Sequence, residues 1–382
     1  MWRVLLVVVV AVLAGCSGPA VVTTTAPPVA SAPVPARPTG VAWRWAAPGP
    51  VHALAAAGAG VVVAGDDGVT ALDGSTGRER WRYARPGAAL TALEVSPDGG
   101  SVVLVHDDAE SWSVTVLDGS TGAVRWDDEV DVEPTLLLTD DVVVLAHAEG
   151  TVVEHRARDL ASGDDRWTRR TTPGCEQRTL APQHALESVP VAEWCAGRTV
   201  LRGLDESTGQ DRWAVDAGPS EASGGSGLGS TTDGSLVVAT GPRPRLLVDP
   251  RTGTVRVRVP RTAGSPLLGE GLPQVELLSR IVPSVAGLDL TTGTAVPPPP
   301  APCEGPSLLV LPAAVVQVCS DELGDSATVD GGAPIPLGEL APADGVPLGR
   351  PERLPEGPMV VAGPGAVAVA NRSSTTVVVG LR

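Results

Sequence analysis

Leu72-Asp73-Gly74-Ser75-Thr76-Gly77-Arg78-Glu79-Arg80-Trp81 reads as the end of a strand, a tight turn and the start of a second strand. Asp accepts hydrogen bonds from the backbone two residues on, and Gly supplies the positive φ that closes such a turn. The stretch recurs. Asp118 and Gly122 precede Trp126, Asp159 and Gly163 precede Trp167, and Asp205 and Gly209 precede Trp213, always with four residues from Gly to Trp. Weaker copies run from Asp249 to Gly253 and from Asp289 to Gly293, with Val257 and Pro297 at the Trp position. The six turn glycines are spaced by 45, 41, 46, 44 and 40 residues. A fixed period of this size marks a repeat array, and it overrides the 382-residue length as a guide to domain number.

Around each turn the pattern predicts four short strands. In the first copy these are Val51–Ala55, Gly60–Ala64, Val69–Leu72 and Arg78–Tyr83, with Asp66-Asp67-Gly68 as a hairpin signal. Each Trp falls mid-strand, where a large flat ring can bury against the next repeat. The chain has no Phe and one Tyr, so its nine Trp are the large core side chains. A seventh copy follows Pro297–Pro300, and residues 359–381 supply three strands of an eighth. The missing fourth strand is expected from Val41-Ala42-Trp43-Arg44-Trp45, with Trp45 as its docking residue. Pairing the N-terminal strand into the last sheet would close a ring and remove an exposed edge. The expected fold is all-β, a propeller of four-stranded blades, eight in preference to seven.

At the N-terminus, Met1-Trp2-Arg3 is followed by an apolar run from Val4 to Ala14 and then Gly15-Cys16-Ser17. The run is too short to span about 30 Å of hydrocarbon and reads as a secretory signal. With Cys after the small residues, it closely resembles a bacterial lipoprotein lipobox. That resemblance implies cleavage before Cys16, acylation of Cys16, and an anchor on the outer face of the bacterial cell membrane. The expected organisation is a signal peptide over 1–15, a lipidated Cys and Pro/Ala/Thr-rich tether over 16–40, and the propeller over 41–382. No secondary structure is expected in the tether. The four remaining cysteines allow three pairings; proximity favours Cys175–Cys195 and Cys303–Cys319, each contributing roughly 3 kcal/mol.

The net charge of -16 and the lack of any basic run argue against nucleic acid. Candidate chemistry is sparse. His147 and Glu149 would share a strand face near His155, and Asp doublets recur at Asp66-Asp67, Asp107-Asp108, Asp127-Asp128, Asp140-Asp141 and Asp164-Asp165. None has the clustered oxygens of a calcium loop, and no nucleophile elbow or His-Glu-x-x-His occurs. No metal, catalytic residue or cofactor is therefore assigned. The main insertion, Arg170–Arg198, holds Cys175, Trp194 and Cys195 and is the expected partner-facing feature, since loops on a rigid scaffold carry function.

Val69-Thr70-Ala71-Leu72-Asp73 with Thr76, Gly77 and Trp81 resembles the signature of the quinoprotein-like β-propeller superfamily. The resemblance covers about residues 41–382 and implies that each Trp docks between blades. The family includes dehydrogenases that use pyrroloquinoline quinone and calcium, and non-catalytic lipoproteins such as BamB. The adjacent Cys pair common in the enzymes is missing here. The expectation is a monomeric, non-catalytic lipoprotein that binds an extracytoplasmic protein partner; a quinone- or metal-dependent oxidoreductase and a small-ligand sensor in the propeller channel are the alternatives.

Overall fold

The computed structural model describes residues 21–177 except 59 and 110, then 183–184, 187–219, 227–230, 237–240, 245–259, 265–268, 274–278, 287–289, 295–296, 303, 307–311, 313–321, 324–338, 358–371 and 377–382. Cys16, the Gly293 turn and Pro297 lie outside these residues.

The described strands sort into eight sheets, nearly all of whose pairings are antiparallel. The first takes Ala53–Ala57, Gly60–Ala64, Gly68–Asp73 and Glu79–Ala84 in order, and the second Ala89–Val95, Ser101–Asp107, Trp112–Asp118 and Val124–Val130. Register follows the repeat. Leu72 pairs with Val61 in the first sheet, as Leu117 pairs with Val102 in the second. The second strand of the first sheet, Gly60–Ala64, is buried throughout. A sheet covered on both faces needs such continuous apolar strands, which is why the sequence shows runs rather than alternation there.

The cores lie between the sheets. Val62, Val69, Trp81, Tyr83, Val102, Leu104 and Leu117 form one cluster joining the first and second sheets. Val103, Val116, Leu136, Leu138 and Leu160 join the second and third. Trp43, Val61, Leu72, Val361 and Ala368 join the eighth and first. The eighth sheet consists of Pro358–Gly363, Ala366–Asn371, Val377–Leu381 and the N-terminal strand Val41–Ala46, which pairs antiparallel with Val377–Leu381.

Two expectations are corrected. The first concerns the tether. Val22–Thr24 is a strand on the outer edge of the first sheet, with Thr23 opposite Tyr83. From there the chain runs over the face that carries the Asp-to-Gly turns. Arg80 donates to the Pro27 carbonyl at 2.5 Å and the Ala26 amide donates to the Thr121 carbonyl at 3.0 Å. Further on, the Pro33 carbonyl accepts from Gly365 and the Ala36 carbonyl from Ala313, and Arg37 pairs with Asp330 at 2.7 Å. Residues 21–40 are thus a strap. Proline lacks a donor but keeps its carbonyl, so an extended Pro-rich segment can accept bonds from turns it crosses and cover an open edge.

The second correction concerns Arg170–Arg198. Asp165–Arg170 closes the third sheet, and Ser188–Cys195 is a full strand of the fourth, with Cys175–Glu176 paired beside it. Gln183–His184 pairs parallel with Leu137–Leu138 and so joins the third sheet. What sequence presents as one insertion thus contains a full blade strand, Ser188–Cys195, and its variable part shortens to about residues 171–187.

Candidate functional site

The repeated motif is a joint between sheets. Asp118 shows its wiring. Its Oδ1 accepts from the Ser120 amide at 3.0 Å and the Thr121 amide at 2.9 Å, and from both hydroxyls at 2.7 and 2.9 Å. Its main-chain carbonyl accepts from the Gly122 amide at 2.8 Å, and its Oδ2 from Arg125 at 2.8 Å. Burial alone would raise this carboxyl. Donation from Arg125, Ser120 and Thr121 outweighs it and holds the group well below the usual carboxylate range. Asp73, Asp159, Asp205 and Asp249 accept the same backbone bonds.

Gly77 and Gly122 have φ of 68° and 72°, and each lies under the indole of the preceding sheet. A Cβ on Gly77 would stand 2.6 Å from Trp43, and one on Gly122 2.6 Å from Trp81. Gly163 meets Trp126, Gly209 meets Trp167 and Gly253 meets Trp213 in the same way. The ring nitrogen then donates into the same turn: Trp43 to Gly74 at 2.7 Å, Trp81 to Gly119 at 3.2 Å, Trp126 to Leu160 at 3.2 Å, Trp167 to Glu206 at 2.8 Å, and Trp213 to Pro250 at 2.6 Å. The glycine therefore does two things: it closes the turn and admits the neighbour's ring.

On the N-terminal strand the docking residue is Trp43, not Trp45. Residues two apart on a strand face the same way, so pattern alone cannot separate them. Trp43 is 7% exposed over Gly380 and Gly77, while Trp45 lies farther along the strand, half-buried at a cleft.

A further motif residue escaped the sequence reading. An Arg precedes the Trp position in several copies. Arg125, Arg166 and Arg256 bind the carboxylates of Asp118, Asp159 and Asp249 at 2.8, 2.6 and 2.6 Å. The signal was present as Arg-Trp pairs at constant spacing. In the first sheet Arg80 instead holds the strap.

The candidate metal residues are not assembled. Across the hairpin, His147 opposes Glu154 and His155 opposes Ala146, so the two imidazoles face opposite sides of the sheet. His155 is 2% exposed; burial, aided by Arg169, lowers its pKa to about 4. Several members of the Asp doublets are engaged by neighbours. Asp66 meets His52 at 2.5 Å, Asp127 accepts from Thr115 at 2.7 Å, and Asp165 is bidentate to Arg156 at 2.9 and 2.7 Å. Cys175, Glu193 and Cys195 come within 4.8 Å of one another, but Cys175 and Cys195 are joined in a disulfide. Glu193 accepts from the Thr172 amide at 2.8 Å and from Arg202 at 2.7 Å. Cys303 and Cys319 form the second disulfide.

Four-stranded sheets joined by indoles that dock into the next sheet's turn, at a repeat of about forty residues, define a β-propeller of PQQ-like repeats. The chain belongs to the family described as outer membrane protein assembly factor BamB, whose model matches residues 34–193 and 197–296, more than half of the sequence. No curated protein matches it. Among solved structures, the Dos1 propeller is similar with a TM-score of 0.50 and 12% identity, covering 90% of this chain and 94% of that one. Kuenenia stuttgartiensis hydrazine synthase gives a TM-score of 0.46 and 14% identity over 74% of this chain and 95% of that one. The Dos1 likeness is one of fold.

Proposed function

We propose that this chain is a lipid-anchored, extracytoplasmic propeller of eight blades, closed by Val41–Ala46, that serves as a non-catalytic protein-binding platform. One observation carries the reading. The polar residues that recur in the repeat are consumed by the joint, with Asp118 taking bonds from Ser120, Thr121 and Arg125. A residue so occupied is a fastener, not a reagent. The family, whose description is that of an assembly factor, is in keeping with this reading.

The strap refines the membrane geometry. If Cys16 carries the lipid, Val22 is already paired into the first sheet, and the free span reaches only about 20 Å at roughly 3.3–3.6 Å per residue. The propeller then rides close to the bilayer instead of standing off on a long tether. The partner-facing element is the variable part of the former insertion, about residues 171–187, beside the Cys175–Cys195 disulfide.

Radiolabelled palmitate should label the full chain and not a Cys16→Ala variant, and that variant should leave the membrane fraction. Affinity capture from detergent-solubilised membranes should recover a partner with the native chain and lose it when residues 178–186 are replaced by a short Gly-Ser link. Recovery of no loop-dependent partner would count against the platform. Quinone absorbance and dye reduction after reconstitution with pyrroloquinoline quinone and calcium would favour the oxidoreductase instead.

A further inference from the structure

A cleft of about 270 Å³ opens between the N-terminal strand and the first sheet, at the end away from the Asp-to-Gly turns. Trp45, Pro50, Val51, Asp67, Thr70 and Arg82 are among the residues that line it. Its origin lies in the repeat. By register, Gly65 occupies the place that His106 fills in the second sheet, since Ala64 pairs with Val69 as Val105 pairs with Val114. Counting from the docking indoles Trp43 and Trp81, Trp45 corresponds to Tyr83 and Ala47 to Arg85. Between the first and second sheets that space is filled: His106 is fully buried with its ring 5.9 Å from Tyr83, and Arg85 binds Ser113 at 2.6 Å. Between the eighth and first sheets, Gly65 and Ala47 leave it open.

The open space carries polar groups with no partner among the described residues. The Arg82 guanidinium has no carboxylate, although most described arginines are ion-paired in a chain of net charge -16. The Asp67 carboxylate, the Thr70 hydroxyl and the Trp45 ring nitrogen likewise take no side-chain or main-chain partner, whereas Asp66 is held by His52. Thr70 is only 6% exposed. Two opposite charges that line one cleft without closing on each other can be completed by a ligand carrying both charges. The volume falls just below the roughly 300–1,000 Å³ of drug-sized pockets, so the ligand is small.

We infer that this cleft binds a free α-amino acid with an apolar side chain. Its carboxylate meets Arg82 in a bidentate pair, its ammonium meets Asp67, and its side chain lies against Trp45 and Val51. The site lies between two sheets, and it can fail or stand independently of the platform reading.

Isothermal titration of the full-length propeller with L-leucine tests it. Saturable binding is expected, with N-acetyl-L-leucine and L-leucine amide each weaker by about tenfold or more, since each loses one charge worth about 1.4 kcal/mol or more. Arg82→Gln and Asp67→Asn should weaken L-leucine by a similar factor. Gly65→His, which copies the neighbouring joint, should abolish binding without lowering the melting temperature. If that variant fails to fold, Gly65→Ala serves, because its Cβ would meet nothing nearer than 3.8 Å; it should weaken binding by partial filling. No saturable heat at millimolar L-leucine, equal binding of the two blocked analogues, unchanged binding in Arg82→Gln, or D-glucose binding in place of L-leucine would overturn the inference.

Discussion

The joint between the first and second sheets and the joint between the eighth and first share one end and differ at the other. At the shared end an indole lies on a turn glycine and donates to that turn, Trp81 at Gly122 and Trp43 at Gly77. At the other end Tyr83, His106 and Arg85 fill one joint, while Trp45, Gly65 and Ala47 leave a cleft in the other. The shared end sets how one sheet packs on the next, so it repeats. The differing end is released from that duty and can vary, and in these two joints individuality begins two residues after the docking Trp.

The comparison breaks most directly at the indoles. Trp81 is 1% exposed, and Trp81→Ala should cost about 3–5 kcal/mol by cavity formation and lost transfer energy. Trp45→Ala, at a half-buried residue packed against the edge of a core cluster, should cost roughly 1 kcal/mol, near the centre of the range for single substitutions. Denaturant unfolding of both variants decides it. Equal losses would mean that Trp45 is a joint residue after all.

A pH titration examines a third joint, where His155 is buried beside Gln177 and opposite Arg169. Its folded pKa of about 4 lies below the ordinary value of 6.5, so between those pH values the unfolded chain binds a proton that the folded chain refuses. Stability is fully present above about 6.5 and falls as pH drops towards 4. At about 1.4 kcal/mol per pKa unit the loss approaches roughly 3 kcal/mol. His155→Gln should flatten that slope; a slope that persists unchanged would assign it to other groups.

The turn glycine separates its two duties. Gly122→Ala meets both the positive φ and the Trp81 ring, and should cost about 2 kcal/mol or more. Gly150 also has positive φ, at 65°, but nothing lies within 4 Å of its would-be Cβ. Gly150→Ala should therefore cost only about 1 kcal/mol. Similar melting temperatures for the two variants would show that the indole yields to the methyl.

What could be read in advance follows from what leaves a period. Asp73, Gly77 and Trp81 recur at constant spacing, so their shared role was legible before any coordinates. Arg125, Arg166 and Arg256 were equally periodic but looked like ordinary surface charge until their carboxylate partners were placed. Trp43 and Trp45 are indistinguishable by pattern, because a two-residue step on a strand returns to the same face. The strap has no periodicity at all; its bonds to Thr121, Gly365 and Ala313 depend on where distant turns arrive in space. The cleft is harder still, because it is made by small residues, Gly65 and Ala47, whose meaning appears only when the strands are set in register.

The smallest expected effect bears on the shared end of the joint. Asp118→Asn keeps an oxygen to accept from the Ser120 and Thr121 amides but gives up the charge that Arg125 binds, and should cost about 1 kcal/mol at neutral pH. The sign of its pH dependence follows from the depressed carboxyl. A carboxylate held below its unfolded value contributes stability above about pH 4 and loses it as pH falls through the folded value. The gap between wild type and Asp118→Asn should accordingly narrow below about pH 4, as the wild-type advantage is titrated away. If the gap instead stays constant into acid, Asp118 acts in the turn through its shape alone, and the Arg125 pair adds nothing to the joint.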